Sequence, residues 1–498
     1  MSQPLICMTL TGKTLEEDLK LVQKYEKQID IVELRVDYLT EEEQLYARRF
    51  PSMIYHPCIL TIRRDIDGGK FTGGDFARTN LFGRALAFAD TDRSKNFAYV
   101  DFEEDYDIPS FHDAALAFGV KIIRSVHSMT EPITNLKERC DKMRKTGYEI
   151  PKIAFMPKNL SDVYNMFKEG SEMDYDHIFC AMGPEGMPSR ILSTLANSYL
   201  TYTSPEENLA NTTGIGHLDP VTINNLYNFK NITRDTQLFG ITGWPLAKTS
   251  SPDIHNYGYR KHKMDAVYLP VRSQLVSECL SFSEKMGIKG LSVTIPHKES
   301  VMMYLNEQSE AVTQIGACNT VVRKGDSWAG YNTDYSGFRR ALEEFLGPVK
   351  IKHKKVAVIG AGGAAKAIVY ALKQMGAKVC IFNRTESSAQ QLADRYGYKY
   401  CGLNESAASV LDEYSSLIIQ TTSVGMTDNL NPDIIDPISF YKFRGDELLF
   451  DIVYKPAITP VMRRASLAGC RVCNGYKMLE YQAYEQYKLF TGKDYESE

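Results

Sequence analysis

Long apolar runs are missing from this chain. No stretch approaches the ~18 consecutive apolar residues that a membrane span needs, so no membrane association is expected. The start, MSQPLICMTLTGKTLEEDLK, lacks the basic opening and apolar run of a secretory signal. It also lacks the Arg- and Ser-rich, acid-poor character of a transit segment. Excess charge is missing too. Net charge is −4, from 58 Lys and Arg against 62 Asp and Glu, which makes no electrostatic case for nucleic acid. Ten cysteines are too few in 498 residues for a disulfide scaffold. Most sit in apolar, strand-like runs such as VCIF around Cys380, and they read as reduced core residues of a cytoplasmic protein. Cys470 and Cys473 have CxxC spacing but no second pair and no helix start of their own, so they read as structural. The nine histidines are dispersed and none forms HExxH, so no metal is expected.

What remains is an ordinary globular composition in a chain too long for one core. At about 100–200 residues per domain it should form two to four. The first part alternates short apolar strands with amphipathic stretches such as Leu15–Tyr25 and Leu160–Lys168. The predicted strands are Pro4–Leu10, Ile29–Arg35, Pro57–Arg63, Phe97–Glu103, Val120–Val126, Pro151–Met156, Ile178–Met182 and Tyr199–Tyr202. Eight such strands over roughly 200–250 residues predict a (β/α)8 TIM barrel. Polar residues gather at their C-terminal ends: Glu33, Arg35, Arg63, Asp101, Glu103, His127 and Lys152. Catalytic groups of such barrels sit on that rim.

The pattern changes after Asn211, and a module boundary falls near Thr233. The expected domains are a barrel over 1–232, a small α/β domain over 233–342, a Rossmann domain over 343–470, and a C-terminal helical segment over 471–498 that returns to the small domain. The Rossmann reading rests on KKVAVIGAGGAAKAIVYALKQMGAKVCIFNRT. Gly360, Gly362 and Ala365 match G-x-G-x-x-[G/A] inside a complete βαβ unit. Gly360 permits the tight turn, and Gly362 lets backbone N–H groups approach a pyrophosphate. Ala365 lets the helix pack close to the strand. The expected cradle is Gly360, Ala361, Gly362, Gly363 and Ala364. The second strand ends in Asn383, Arg384 and Thr385, where an NAD site usually has an acid. An arginine there suits a ribose 2′-phosphate, which predicts NADP.

Residues 238–492 resemble shikimate dehydrogenase. The resemblance is carried by Gly243-Trp-Pro-Leu-Ala-Lys-Thr-Ser-Ser-Pro-Asp-Ile-His-Asn256, by Ser292-Val-Thr-Ile-Pro-His-Lys298 and by Gly316-Ala-Cys-Asn-Thr320. Further matches are Gly330-Tyr-Asn-Thr-Asp334, Thr421-Thr-Ser-Val-Gly-Met426, Asp451-Ile-Val-Tyr-Lys-Pro-Ala-Ile-Thr459 and the segment from Asn474 through Gln482. It implies Lys298 and Asp334 as the catalytic pair. It implies Thr249, Ser251, Thr294, Asn319, Tyr454 and Gln482 as substrate contacts, and Thr422, Val424 and Gly475 beside the cofactor. Thr249 departs from the family's serine and keeps the hydroxyl.

Residues 1–230 resemble type I 3-dehydroquinate dehydratase, a metal-free barrel enzyme. The matching segments are Glu33-Leu-Arg35-Val-Asp37, Leu60-Thr-Ile-Arg63 with Gly68-Gly69, Arg124-Ser-Val-His127, Lys152-Ile-Ala154, Met182-Gly183 and Ser189-Arg190. The resemblance implies that Lys152 forms a Schiff base, that His127 is the general acid and base, and that Glu33 orients His127. Burial among cations would keep Lys152 nucleophilic. Arg35, Arg63, Asp67, Arg190, Thr213 and His217 would bind substrate. Asp67 stands where the family has Glu, and Thr213-Gly-Ile-Gly-His217 replaces S-A-P-G-Q.

Together the resemblances imply a two-step enzyme. 3-Dehydroquinate would become 3-dehydroshikimate, which NADPH would reduce to shikimate. Its partners would be these small molecules, with no obligate protein partner. Two alternatives stay open: a quinate-active second module, and a non-catalytic regulatory protein with degenerate sites.

Overall fold

Eight short parallel strands open the chain: β1 (Leu5–Leu10), β2 (Ile31–Arg35), β3 (Cys58–Thr61), β4 (Tyr99–Glu103), β5 (Lys121–Ser128), β6 (Ile150–Phe155), β7 (Ile178–Ala181) and β8 (Leu200–Thr203). The computed structural model describes residues 3–87, 90–246, 249–426 and 435–496, apart from the side chain of Thr213. The chain divides into two compact units. The first holds residues 1–238, 264–273 and 278–287; the second holds 239–263, 274–277 and 288–498.

The strands form one sheet in the order β7-β6-β5-β4-β3-β2-β1-β8. All eight predicted strands are present, with ends that differ from the sequence reading by no more than about two residues, as expected for element boundaries. Between β7 and β8 the ring closes through a single parallel bridge, His177 with Ser198. Ser198 Oγ accepts from the Phe179 N–H at 3.2 Å.

Alternation explains why the strands read as continuous apolar runs. Cys7, Ile31, Ile59, Ile123, Ile178 and Leu200 fill the barrel interior. Ile6, Met8, Val32, Leu60, Val100 and Ile122 face the outer layer. With both faces covered, the strands read as apolar, and the polar residues that do point inward, such as Glu33, Asp101 and Lys152, are buried against one another. Each fully buried Ile or Leu contributes about 1.5–3 kcal/mol. The surrounding helices are locally specified. In the helix Leu15–Tyr25, Thr14 caps the Glu17 N–H, three acids occupy the first turn, and Lys24 sits in the last. Asn159 and Asp162 form a capping box for Leu160–Ser171.

Two more six-stranded sheets follow. The first comprises β9 (Gln237–Thr242), β10 (Ala266–Pro270), β11 (Ile288–Val293), β12 (Glu307–Gln308), β13 (Thr320–Lys324) and β14 (Ser327–Tyr331), ordered β10-β9-β11-β13-β14-β12. The second comprises β15 (Lys355–Ile359), β16 (Lys378–Asn383), β17 (Lys399–Gly402), β18 (Leu417–Gln420), β19 (Leu448–Asp451) and β20 (Arg471–Cys473). Its order is β17-β16-β15-β18-β19-β20 and every pair is parallel. This is the doubly wound Rossmann order, whose ligand crevice opens at the carboxyl ends of β15 and β18.

The helix Tyr476–Thr491 links the two sheets' surroundings. Met478 joins the apolar cluster of the Rossmann sheet. Phe490 and Tyr487 stack on Phe239 and Tyr259. It also lies hard against the helix Asp334–Leu346. A Cβ on Gly337 would meet the Gln482 backbone nitrogen at 2.6 Å, so only glycine permits this approach. Cys470 and Cys473 are free thiols, as are the other eight cysteines. No helix among the described residues is long and apolar enough to cross a membrane.

Candidate active sites at the strand ends

The barrel pocket is built from residues on nearly every strand. Lys152 points inward from β6 and is 5% exposed. Its Nζ donates to Asp101 Oδ2 at 3.0 Å and lies 3.7 Å from Glu33 Oε1. Arg63 reaches the same Asp101 oxygen at 2.7 Å and also pairs with Glu103 at 2.7 Å. Arg78 grips the other Glu103 oxygen, and Ser125 donates to Asp101 Oδ1 at 2.5 Å. Burial pushes the Asp101 carboxyl up, but Arg63 and Lys152, with the Ser125 hydrogen bond, outweigh it and hold it well below the usual carboxylate range.

One cavity is lined by Glu33, Arg35, Arg63, Asp67, His127, Lys152, Arg190 and His217, so these expected residues share a pocket. Arg35 forms a two-toothed pair with Asp37 at 2.8 and 2.9 Å. Asp67 accepts from Arg64 at 2.7 Å. Arg190 donates to the Ile215 carbonyl, and its Nε and Nη1 are buried with no partner among the described residues. The unused Nη1, beside Nη2 at the end of the guanidinium, suits a carboxylate oxygen. Thr213, the remaining expected contact, has its side chain outside the described residues. Burial, then Arg63 and Lys152, push the His127 imidazole well below its ordinary value and keep it neutral. No group of His, Cys, Asp and Glu among the described residues could hold a metal ion.

Two expectations need correction here. Glu33 was paired with His127 from the resemblance. Instead its oxygens accept from Thr9 at 3.0 Å and Thr61 at 2.9 Å, and it faces Lys152. His127 Nδ1 is buried without a partner among the described residues. Lys152 was expected among cations, yet the charged groups nearest its Nζ are the carboxylates of Asp101 and Glu33. The cations stand behind them.

In the second unit, Lys298 follows β11 and its Nζ meets Asp334 Oδ2 at 2.5 Å. Asp334 opens its helix, and Asn319 Nδ2 donates to the other carboxylate oxygen at 2.8 Å. The Asn319 oxygen accepts from the Thr333 N–H at 2.7 Å, and its amide also reaches Gln482 Oε1 at 3.4 Å. Lys298, Asp334, Asn319 and Gln482 therefore form one connected group. Thr249 Oγ1 and Ser251 Oγ are 3.1 Å apart, and the Ser251 N–H donates to Thr249 at 3.2 Å. Thr294 lies at the end of β11, where a Cβ on Gly243 would collide with its side chain. Tyr454 packs edge-on against Tyr476.

The glycine turn after β15 fits a dinucleotide. Gly360 has φ +113°, and a Cβ there would strike Thr421 Oγ1 at 2.5 Å. Gly362 caps the helix Gly363–Gln374 without a side-chain hydrogen bond, and its Cβ direction is open space. The first N–H groups of that helix are thus free to meet phosphate, with Ala361, Gly363 and Ala364 beside them. A Cβ on Gly363 would come within 3.3 Å of the Lys298 stem, so the lysine stands at this turn. Asn383 donates to the Thr385 carbonyl, which shapes the bend that leaves Arg384 exposed at the end of β16. Thr422 and Val424 close a turn through an N–H to Oγ1 bond at 3.2 Å. Gly475 lies so close to the Ile452 carbonyl that a Cβ would stand 1.9 Å away.

Three family models match this chain: type I 3-dehydroquinase over residues 6–234, the shikimate dehydrogenase substrate binding domain over 241–321, and shikimate/quinate 5-dehydrogenase over 341–452. A bifunctional 3-dehydroquinate dehydratase/shikimate dehydrogenase of Arabidopsis thaliana, described as chloroplastic, is 30% identical over 98% of this chain and 82% of its own length. The chain belongs to the bifunctional 3-dehydroquinate dehydratase/shikimate dehydrogenase family. An NADP(+) shikimate dehydrogenase of Maridesulfovibrio salexigens is 38% identical over 52% of this chain and 93% of its own. A crystal structure of shikimate dehydrogenase from Aquifex aeolicus aligns with 32% identity, 53% of this chain, 95% of that chain and a TM-score of 0.48.

In the dehydratase half, sequence reasoning placed Asp101 on the rim but gave it no role. It is the closest carboxylate to the Lys152 ammonium. Two acids spaced i, i+2 on one inward-facing strand, Asp101 and Glu103, were the available signal. Tyr202 lines the same cavity, although a tyrosine in an apolar strand reads as core.

Proposed function

We propose that the barrel dehydrates 3-dehydroquinate to 3-dehydroshikimate, and that the second unit reduces this product to shikimate with NADPH. The observation that carries the first half is the Lys152 amine, buried in a rim pocket with His127 and the half-free Arg190. The neutral Lys152 amine adds to the substrate ketone, the carbonyl oxygen leaves as water, and the resulting iminium acidifies the neighbouring C–H by drawing off its electrons; after the dehydration, water hydrolyses the iminium and frees the product and the lysine. Asp101 and Glu33 hold the Lys152 nitrogen in place, at 3.0 and 3.7 Å. His127, held neutral by its surroundings, removes the carbon-bound proton and returns it to the departing hydroxyl. Arg190 binds the substrate carboxylate with its unused Nη1, and Arg63 keeps Asp101 charged.

The second half rests on the Lys298–Asp334–Asn319 group beside the glycine turn. NADPH, when bound, supplies the hydride. Lys298 gives a proton to the oxygen that the reduction leaves charged, and Asp334 holds that ammonium in place. Thr249 and Ser251 present adjacent hydroxyls to the substrate carboxylate. Gly360 through Ala364 cradle the pyrophosphate, and Arg384 meets the 2′-phosphate. Ten free cysteines support a reducing compartment, which we take to be the cytoplasm.

The test is a coupled assay. With 3-dehydroquinate and NADPH supplied, shikimate should accumulate. Lys152→Ala should stop the sequence at its start, and Lys298→Ala should stop it at 3-dehydroshikimate. Borohydride should trap a substrate adduct on Lys152. No adduct together with no dehydration would refute the barrel assignment. Oxidation of quinate faster than shikimate would replace the second.

A further inference from the structure

Tyr202 has no task in the mechanism above, yet it lines the dehydratase pocket. It lies on β8 opposite Cys7 of β1, and this register turns it into the barrel interior with Ala154 and Cys180. It is 4% exposed and lines the same cavity as Lys152, His127 and Arg190. Its ring centre stands 4.3 Å from Lys152 Nζ. The His217 imidazole lies parallel to the ring, at 7° and 6.4 Å between centres. His217 is itself pinned through Nδ1 by Ser204 Oγ at 2.8 Å.

The phenol is the anomaly. Its oxygen is buried and has no hydrogen-bond partner among the described residues. Buried tyrosine hydroxyls nearly always find a partner, because leaving one unpaired forfeits its hydration with no return. Burial, then Glu33, Cys7 and Asp101, push this phenol well above its ordinary value, so it stays a neutral donor. A donor kept protonated, buried and unused in a pocket built for an oxygen-rich ring is matched to an acceptor that arrives with the ligand.

We propose that Tyr202 is a substrate-contacting residue of the dehydratase: its O–H donates to an oxygen of the ring attached at Lys152, and its π face steadies the iminium nitrogen. The first role uses the orphaned hydroxyl. The second uses the ring's position over Nζ, which favours a cation there. The phenol keeps its proton throughout; it gives a hydrogen bond and no more. The inference rests on the dehydratase reading of the barrel.

The experiment compares wild type, Tyr202→Phe and Tyr202→Leu in the full chain by dehydration kinetics, by mass spectrometry of the borohydride-trapped adduct, and by thermal unfolding without ligand. Tyr202→Phe should lose about tenfold in kcat/KM, still trap its adduct, and hold or raise Tm, because it removes an unpaired polar group. Tyr202→Leu should trap about tenfold less adduct than Tyr202→Phe at equal substrate. Wild-type kcat/KM in Tyr202→Phe would overturn the hydrogen bond. A fall in its Tm alongside its activity would make Tyr202 structural and overturn the proposal. Equal trapping in Leu and Phe variants would overturn the π contact. If wild type traps nothing, the dehydratase reading itself fails and takes this proposal with it.

Discussion

The two lysines of this enzyme are held in opposite ways. Lys152 projects from mid-strand into a closed barrel and is almost wholly buried, with two carboxylates in reach and a network that runs on to Arg63, Glu103 and Arg78. Lys298 follows a strand, keeps 14% of its side chain exposed, and pairs among the described residues with one carboxylate, Asp334. The difference matches the chemistry proposed for each. An amine that bonds to carbon must be fixed and stripped of water, and its proton must have somewhere to go. An amine that passes a proton needs only contact with the right oxygen and a partner to orient it.

Exchanging each lysine for alanine is the strongest way to break this comparison. Lys152→Ala should cut dehydration by about 10⁴-fold or more and abolish trapping, while reduction of 3-dehydroshikimate stays within about twofold. Lys298→Ala should do the reverse, costing about 10³-fold in reduction. Separate assays of the two steps check both.

The next largest effect should come from Asp101→Asn. It leaves Arg63 and Lys152 short of a buried anion, which costs about 3–5 kcal/mol in such settings. Dehydration should fall by about 100-fold. The native carboxyl is held below its unfolded value, so its contribution to stability is complete above the unfolded pKa near ~3.9 and is lost as pH falls below that. Urea midpoints measured down the acid range should drop steeply in wild type and more shallowly in Asp101→Asn. Equal slopes would remove Asp101 from the network's charge balance.

Smaller effects sharpen the second site. Arg384→Ala should raise KM for NADPH about tenfold and leave KM for NADH unchanged, because only the 2′-phosphate is lost to it. Thr249→Ser should change KM for shikimate by less than about threefold, since the hydroxyl beside Ser251 survives. A large gain in shikimate use by Thr249→Ser would instead assign the threonine methyl to substrate choice.

Much of this was legible before any coordinates. The barrel strands announce themselves because both of their faces are covered, which forces apolar runs of the observed length. The glycine turn announces itself because its backbone tolerates nothing larger, as the Thr421 contact at Gly360 shows. Lys298 and Asp334 were paired by motif across 36 residues. What escaped was lateral. Asp101 and Lys152 sit on β4 and β6, and no local pattern says that their side chains meet over β5. The Glu33–His127 pairing failed for the same reason: Thr9 and Thr61, on the strands flanking Glu33, claim its oxygens first. The near-gap between β7 and β8, bridged by His177 and Ser198, is equally invisible to periodicity.

Residue order alone thus determined which segments become strands, which turn accepts a nucleotide and which amines are available, because these follow from side-chain period, glycine sterics and functional groups along the chain. Tertiary structure alone decided which acid faces which amine, and that the Tyr202 hydroxyl ends without a partner. Those outcomes depend on strand register and inward direction around a closed ring, where neighbours in space come from distant parts of the chain.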